Sequence, residues 1–337
     1  MLNRRNFARL AGAAAIALST ALPSFAQDPI VIKFSHVVAP DTPKGKGAEK
    51  FKELAEQYTD GAVTVEVYPN SQLYKDKEEL EALQLGAVQM LAPSLAKFGP
   101  LGVQQFELFD LPMLFNGRED LRKITEGDVG RELLDMLEPK GITGLAYWDN
   151  GFKIMSANSP LMTPDDFLGL KMRIQSSKIL EAQMQALGAV PQVMAFSEVY
   201  QALQTGVVDG TENPPSNMYT QRMNEVQTHA TLSRHGYLGY AVIVNKAFWD
   251  GLPSDVREGL DKAMAEATDY ANGIAEDENN MALQAMMDAG TTEFHELTEE
   301  ERAEWYETLR PVHDEMADRI GADLLQKVYD ALGTTTN

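Results

Sequence analysis

The chain has 337 residues, enough for two ordinary domains, and its 29 basic and 50 acidic side chains give a formal net charge of −21 at pH 7. This balance argues against nucleic acid and anionic membrane surfaces as partners, because both are bound through clustered Lys and Arg. The lack of cysteine excludes disulfides, thiolate metal ligands and a cysteine nucleophile.

The N-terminus has the pattern of a secretory signal peptide. A basic head with Arg4, Arg5 and Arg9 precedes an apolar, Ala-rich run over 10–22, and small residues end the leader at Ala26. We therefore expect export to the periplasm, with cleavage after Ala26. The head also resembles a twin-arginine signal, so this route and the general secretory route both stay open. No later apolar run could span a bilayer, so we expect no direct membrane insertion.

The first part of the mature chain alternates strands and helices, which predicts an α/β domain with a largely parallel sheet. Strands are predicted at 30–34, 63–68, 89–94 and 142–148, and helices from Pro43, over 76–85 and over 116–140. The sequence Asp149-Asn150-Gly151 is expected to end the fourth strand.

A second α/β block follows, and the chain then returns to the first. The second block has predicted strands at 154–157, 171–175 and 207–209, and helices from Pro164, over 177–187 and over 196–205. The β run at 236–245 is a plausible crossing between domains. The stretch 254–289 predicts a helix of about 50 Å, at ~1.5 Å per residue, which could span both lobes. A capping box at Thr298 starts a final helix pair.

These elements predict two α/β lobes with central sheets flanked by helices. The expected division is a signal peptide over 1–26, a first lobe over 27–150 plus 239–279, and a second lobe over 151–238 plus 280–337.

The common catalytic motifs are absent from the sequence. There is no phosphate-binding loop, no HExxH helix and no GxSxG elbow, and the five histidines have no metal-ligand spacing. We therefore expect no catalytic residue, no metal and no cofactor. A Ser-His-acid triad assembled across the fold stays open at this point.

Arg173 and Asn213 are the strongest candidates for a binding site. An arginine on a short strand is a fixed two-pronged donor that matches a carboxylate, although a lone strand arginine is often a structural ion-pair residue. Asn213 precedes Pro214-Pro215 and could instead hold a turn. Together they indicate a protein that binds a small organic anion.

Three segments resemble a known family. They are MAFSEVYQALQTGVVDGTEN, YWDNGFKIMSAN and RHGYLGYAVIVNKAFWDGLP. The chain resembles the extracytoplasmic solute-binding proteins of TRAP transporters, and the last two segments resemble the branch that binds C4-dicarboxylates such as malate, succinate and fumarate. The resemblance implies a periplasmic-binding-protein-like fold that closes on the anion and delivers it to a membrane permease driven by an ion gradient. A keto acid or sugar acid ligand, an exported carboxylic-acid enzyme and a partner of a membrane sensor remain alternatives.

The resemblance also implies roles for individual residues. Arg173 falls on the family's carboxylate-clamping arginine and Asn213 on its amide partner. A second cationic position falls on Lys153, where sialic-acid binders usually have Arg, so the Lys argues against a sialic acid ligand.

The far carboxylate of a dicarboxylate needs its own donors. Ser35, His36 and Lys44 lie after the first strand and at the next helix start, where ligands collect in α/β proteins. An ordinary polar loop is the alternative reading. Tyr237 is expected to contact a ligand hydroxyl and Trp148 to flank the site, although such aromatic residues usually pack in a core or hinge.

Overall fold

A computed structural model describes residues 29–334 of the chain and contains two β-sheets flanked by helices. The strands are β1 Ile30–Ser35, β2 Val63–Tyr68, β3 Met90–Leu91, β4 Ile142–Phe152, β5 Ile154–Ala157, β6 Lys171–Ile174, β7 Val190–Val193, β8 Gly210–Asn213, β9 His229–Thr231, β10 Tyr237–Asn245 and β11 Glu293–His295.

The first lobe is built on the sheet with strand order β2-β1-β3-β10-β4, and the second lobe on the sheet with order β11-β9-β5-β8-β6-β7. In the first sheet, β1 is parallel to β2 and β3, while β10 is antiparallel to β3 and β4. In the second sheet, β6 is parallel to both β7 and β8. The two-lobed α/β architecture predicted from the sequence is therefore confirmed.

Helices cover these sheets and connect the lobes. They are α1 Pro43–Tyr58, α2 Glu79–Gln84, α3 Arg118–Thr125, α4 Asp128–Asp135, α5 Lys178–Ala186, α6 Val199–Gln204, α7 Pro215–Thr220, α8 Lys246–Asp250, α9 Ser254–Ala289, α10 Glu299–Leu309, α11 Pro311–Ile320 and α12 Ala322–Leu332. Helix α9 has the predicted bounds and packs against α1 and β4 in the first lobe and α7 in the second. The predicted capping box of Thr298 with Glu301 is also present. No helix among residues 29–334 is long and apolar enough to cross a membrane.

The predicted end of the fourth strand is wrong. Strand β4 continues through Asp149-Asn150-Gly151 to Phe152. Gly151 pairs with Leu238 and Asp149 with Gly239, so Asn150 is an extra residue in the ladder, a β-bulge. The Asn-Gly sequence therefore forms a bulge within the strand and not a turn.

Two other predicted elements also differ from the structure. The helix expected over 116–140 is divided into α3 and α4, because Gly127 lies between them and serves as the N-cap of α4. The strand expected at 207–209 starts instead at Gly210, and Val207 is exposed. Gly206, at φ 70°, ends the preceding turn before the chain enters β8.

The last helices pack against different elements, and their expected assignment to the second lobe, over 280–337, stays a prediction. Helix α10 packs there through Trp305, which contacts Phe167 with ring centroids 5.2 Å apart. Helices α11 and α12 instead bury apolar side chains, including Val312 and Val328, in the cluster that contains Leu121 of α3. The same cluster also contains Ile179 of α5, so it includes residues of both lobes.

Candidate functional site

The candidate site lies where the carboxyl ends of parallel strands from the two lobes face each other. Strand β1 ends at Ser35 in the first lobe, next to the end of β3, while Arg173 lies near the end of β6 in the second. Arg173 pairs with Thr211 of β8, and Asn213 is two residues further along β8, on the same sheet face as Thr211. This edge is where open α/β sheets bind ligands.

Arg173 is buried and only partly hydrogen-bonded. Its Nε and Nη2 atoms donate to the carbonyl oxygen of Met194 at 3.1 and 2.9 Å. The ring of Phe196 lies 5.9 Å from the guanidinium carbon, and Asp76 Oδ2 is 4.0 Å from Nη2. Burial lowers the pKa of Arg173, and the charges of Asp76 and Glu212 oppose this shift. The usual pKa of a guanidinium is so high that the group stays charged. Within residues 29–334, Nη1 of Arg173 has no hydrogen bond, so one edge of the guanidinium can donate hydrogen bonds to a ligand.

Asn213 is also buried and weakly bonded. Its amide nitrogen has only long contacts, 3.5 Å to Thr211 Oγ1 and 3.9 Å to the sulfur of Met223. A buried amide with such contacts has donor capacity left for a ligand.

A buried ion cluster joins the lobes beside Arg173. Lys97 Nζ contacts the carboxylates of Asp76 and, at 2.7 Å, Glu79. Asp76 also accepts a hydrogen bond from the backbone N–H of Phe196 in the second lobe. Burial acts to lower the pKa of Lys97, but the charges of Asp76 and Glu79 outweigh it and raise that pKa. Lys97 is therefore charged, and its charge is already paired within the protein.

Lys44, at the start of α1, is a buried cation without such pairing. Its Nζ donates to the carbonyl oxygen of Ala92 at 2.9 Å and lies 3.8 Å from the ring centroid of Tyr240. No carboxylate among residues 29–334 forms an ion pair with it. Burial, and then the charge of Lys97, lower the pKa of Lys44 to about 7, although Glu79 and Asp76 act in the opposite direction.

Ser35 and His36, beside Lys44, have polar atoms that the protein leaves unbonded. The hydroxyl of Ser35 and both ring nitrogens of His36 are buried without a hydrogen-bond partner in the described chain, although the backbone of Val38 approaches the His36 ring. Burial and the charge of Lys44 lower the pKa of His36 to about 3, so its ring is neutral at pH 7. Buried polar groups are normally satisfied, so this corner suits a polar ligand.

The charge of Lys153, by contrast, is balanced inside the protein. Its Nζ lies 2.7 Å from Glu212 Oε1 and 3.8 Å from Asp110 Oδ1. Burial acts to raise the pKa of Glu212, but Lys153 and His235 outweigh it and hold that pKa well below its usual range. Lys153 therefore neutralises the buried charge of Glu212, which precedes Asn213 on β8.

A Ser-His-acid arrangement exists in this interior but is closed to substrates. Ser233 Oγ lies 2.7 Å from His235 Nδ1, and His235 Nε2 lies 2.8 Å from Glu212 Oε2. Ser233 and His235 are both 0% exposed. A nucleophilic serine must be reachable by the carbonyl that it attacks, so this arrangement is an internal hydrogen-bond chain.

The two predicted aromatic residues, Trp148 and Tyr237, have hydrogen-bond partners within the protein. Trp148 is in the first-lobe core, where its Nε1 donates to Thr268 at 2.8 Å. Tyr237 donates its hydroxyl to Asp149 at 2.6 Å and lines a groove of about 570 Å³ beside α9. The aromatic ring beside Lys44 belongs instead to Tyr240, which faces the other side of β10.

The structure places the predicted residues Arg173, Asn213, Ser35, His36 and Lys44 along the facing lobe edges, and their contacts with a ligand stay a prediction. The sequence did not indicate Tyr240 as the ring at Lys44, or the buried cluster of Asp76, Glu79 and Lys97. Asp76 and Glu79 lie in the run Lys75–Glu81, whose charges are typical of a solvated helix. Only the tertiary fold shows that two of these charges, those of Asp76 and Glu79, are buried beside Lys97. Among the described residues, no group of His, Asp and Glu could hold a metal ion.

Comparisons with known proteins show the family of this chain. Residues 34–320 match the family described as bacterial extracellular solute-binding protein, family 7. The C4-dicarboxylate-binding periplasmic protein DctP of Rhodobacter capsulatus is 78% identical over 331 residues, which cover 98% of this chain and 99% of that protein.

Similar solved structures carry bound organic acids, among them the following two. A TRAP periplasmic solute-binding protein from Shewanella oneidensis with bound succinate has a TM-score of 0.88 at 44% identity, covering 90% of this chain and 99% of that one. A corresponding protein from Pseudomonas aeruginosa with bound L-malate has a TM-score of 0.83 at 45% identity, covering 85% and 100%.

Proposed function

The chain belongs to family 7 of the bacterial extracellular solute-binding proteins, the binding proteins of TRAP transporters, and from this membership we propose that it binds a C4-dicarboxylate such as succinate, malate or fumarate. The 78% identical relative is named for C4-dicarboxylate binding, and similar structures hold succinate and L-malate. The family consists of binding proteins, so the chain acts by capture and release and not as an enzyme.

The observation that carries the proposal is the pair of buried cations on facing lobe edges, Arg173 and Lys44, each with unused capacity for an anion. Arg173 and Asn213 hold one carboxylate, through the free edge of the guanidinium and the weakly bonded amide. Lys44, with the Ser35 hydroxyl and the His36 ring, holds the other. A buried dianion needs charge and hydrogen bonds at both ends, and this arrangement supplies them.

Lys153 contributes indirectly in this proposal. Its ammonium neutralises Glu212, so the carboxylate next to Asn213 does not repel the anion. Tyr240 fixes the position of the Lys44 ammonium through its ring. Trp148 and Tyr237 support the first lobe and the crossing strands without touching the ligand.

Isothermal titration calorimetry tests the ligand class. Succinate, L-malate and fumarate are compared with butyrate, which has the length of succinate but one carboxylate, and with galactonate. We expect the dicarboxylates to bind at least a hundredfold more tightly than butyrate, because only they engage both lobes. Equal affinity for butyrate, tighter binding of galactonate, or turnover of a dicarboxylate would contradict the proposal.

Export and delivery to a permease complete the proposed function. Family membership supports a periplasmic protein, whereas the proposed cleavage after Ala26 lies outside the described residues; N-terminal sequencing of the exported protein tests it. Delivery is tested with vesicles that contain the membrane subunits of a TRAP permease. We expect ion-gradient-driven succinate uptake only when the binding protein is added, and uptake that is independent of it would contradict delivery.

The lobe boundaries are also part of the proposal. We assign 27–150 plus 239–279 to the first lobe and 151–238 to the second, with α10 in the second lobe and α11 and α12 in the first. Two-domain fitting of an open and a closed crystal form would test the boundaries. A hinge outside Asn150–Ile154 and the start of β10 would contradict them.

A further inference from the structure

The side chain of Asn150 lies at the crossing between the lobes and bonds to both of them. As the extra residue of the bulge in β4, it has no paired residue in β10. Asn150 is 1% exposed, so each of its polar atoms needs a partner within the protein.

Both polar atoms of the Asn150 amide are hydrogen-bonded, and their partners lie on opposite sides of the crossing. Its Nδ2 donates to the Tyr240 hydroxyl at 2.7 Å in the first lobe and to Asn217 Oδ1 at 3.0 Å in the second. Its Oδ1 accepts from the hydroxyl of Ser216 at 2.8 Å. Ser216 and Asn217 belong to α7, which follows Asn213 and Pro214 in the chain.

Asn279 of the long helix completes the same network. Its Nδ2 donates to the backbone oxygen of Asn150 at 2.7 Å, and its Oδ1 accepts from the backbone N–H of Ser216 at 2.9 Å. One side chain thus bonds to the crossing strand and to the second lobe. The contact is close: a Cβ added to Gly151 would lie 2.9 Å from Asn279 Nδ2.

Asn272 offers an internal comparison one heptad earlier on the same helix. Its Oδ1 accepts from the backbone N–H of Asp149 at 2.7 Å, and its Nδ2 donates to the Tyr147 oxygen at 3.1 Å. Asn272 and Asn279 are similarly buried, at 7% and 9% exposed, and both bond to the backbone of β4. Asn279 alone of the two reaches the second lobe.

We propose that Asn150 and Asn279 are positioning residues. They hold Tyr240, on the ligand side of the first lobe, and helix α7 of the second lobe in a fixed relative position, so that lobe closure and the geometry of the pocket are coupled. Tyr240 holds the Lys44 ammonium on its ring, and α7 follows Asn213, so the two ends of the network adjoin the two ends of the binding site. Bonds that form fully only in one arrangement of the lobes favour that arrangement. The proposal rests on the proposed function for its ligand, and on the hinge geometry for its mechanism.

Stopped-flow fluorescence with succinate is the first test. We expect Asn150→Ala and Asn279→Ala each to raise the dissociation rate at least tenfold and to change the association rate less than threefold, because loosening the closed state speeds release. Asn272→Ala is the matched control: it removes a buried amide from the same helix and should leave both rates within threefold. A merely structural role would lower the melting temperature of all three variants without separating their dissociation rates, and that result would overturn the proposal.

A second measurement separates this proposal from the ligand assignment. Because the chain has no cysteine, spin labels on Glu53→Cys and Gln185→Cys, exposed positions in α1 and α5, report one distance between the lobes. In the ligand-free protein, we expect Asn150→Ala and Asn279→Ala to broaden or lengthen the distance distribution and Asn272→Ala to leave it unchanged. Unchanged distributions in the first two variants would overturn the coupling. Failure of the native protein to bind succinate would instead refute the proposed function and leave this measurement valid.

Discussion

The Lys44 ammonium lies 3.8 Å from the centroid of the Tyr240 ring, and within residues 29–334 this ring and a backbone carbonyl oxygen are its stabilising contacts. An aromatic face attracts a cation by only about 0.5–2 kcal/mol, less than an ion pair supplies to a buried charge. The site therefore holds a cation that is only partly stabilised until an anion arrives.

Proton-linked binding is the first prediction. The pKa of Lys44 is lowered to about 7 by burial and by Lys97, and a bound carboxylate raises it. Below pH 7 the group is charged with or without ligand, so binding involves no proton. Above pH 7 the free protein loses the proton and must regain it, so the affinity for succinate falls as pH rises. Calorimetry at pH 8 in buffers of different ionisation enthalpy should show uptake of up to one proton.

The control is Lys44→Arg, because a guanidinium keeps its proton at pH 8. The variant should bind succinate with no dependence on the buffer. Buffer-independent binding by the native protein at pH 8 would contradict the prediction.

The second prediction concerns Arg173→Lys. Two donors of the arginine bond to the Met194 oxygen, and the other edge stays free for a carboxylate. A single ammonium nitrogen cannot hold both in this geometry, so the affinity for succinate should fall at least tenfold, about 1.4 kcal/mol. Calorimetry measures the loss. Arg222→Lys, at an exposed arginine of the second lobe, is the control. Unchanged affinity in the Arg173 variant would show that Arg173 does not bind the ligand.

The sequence predicted the elements whose signals are local. The bounds of α9 follow from Pro253 and Gly290, and the start of α10 follows from its capping box. The end of β4 was wrong because Asn150-Gly151 is typical of a turn, and only its pairing with β10 shows a bulge. Such pairing is a property of the folded sheet, which a local pattern does not contain.

The candidate site divides in the same way. Asn213 lies in a segment that resembles a family, and Arg173 falls on that family's carboxylate-clamping arginine, so both could be predicted from the sequence, and their contact with a ligand stays a prediction. Lys97 reads as an ordinary surface lysine, and its burial with Asp76 depends on loops more than twenty residues apart in the chain meeting at the cleft. The sequence does not show which of Tyr237 and Tyr240 lies beside Lys44, because β10 is buried on both faces.

The third prediction concerns the ion pair of Lys153 with Glu212. Lys153→Met leaves the Glu212 carboxylate buried without its main counter-charge, which should lower the free energy of unfolding by about 3–5 kcal/mol at pH 7. Urea unfolding measures this loss. The double variant Lys153→Met/Glu212→Gln removes both charges and should recover most of the stability. No recovery would show that Lys153 contributes by packing and not by charge.

The last prediction is that Asn213→Asp abolishes tight binding while the fold is kept. The substitution changes the shape of the side chain very little, but it places a negative charge where we propose that the ligand carboxylate meets Arg173. The new carboxylate can pair with Arg173 itself, so the ligand loses its anchor and meets a like charge. We expect the affinity for succinate to fall at least a hundredfold, about 2.7 kcal/mol. Asn224→Asp, at a buried second-lobe amide bonded to Thr291, controls for the general cost of a buried acid and should bind succinate normally. If the Asn213 variant bound succinate within threefold of the native protein, the amide could not face the ligand carboxylate.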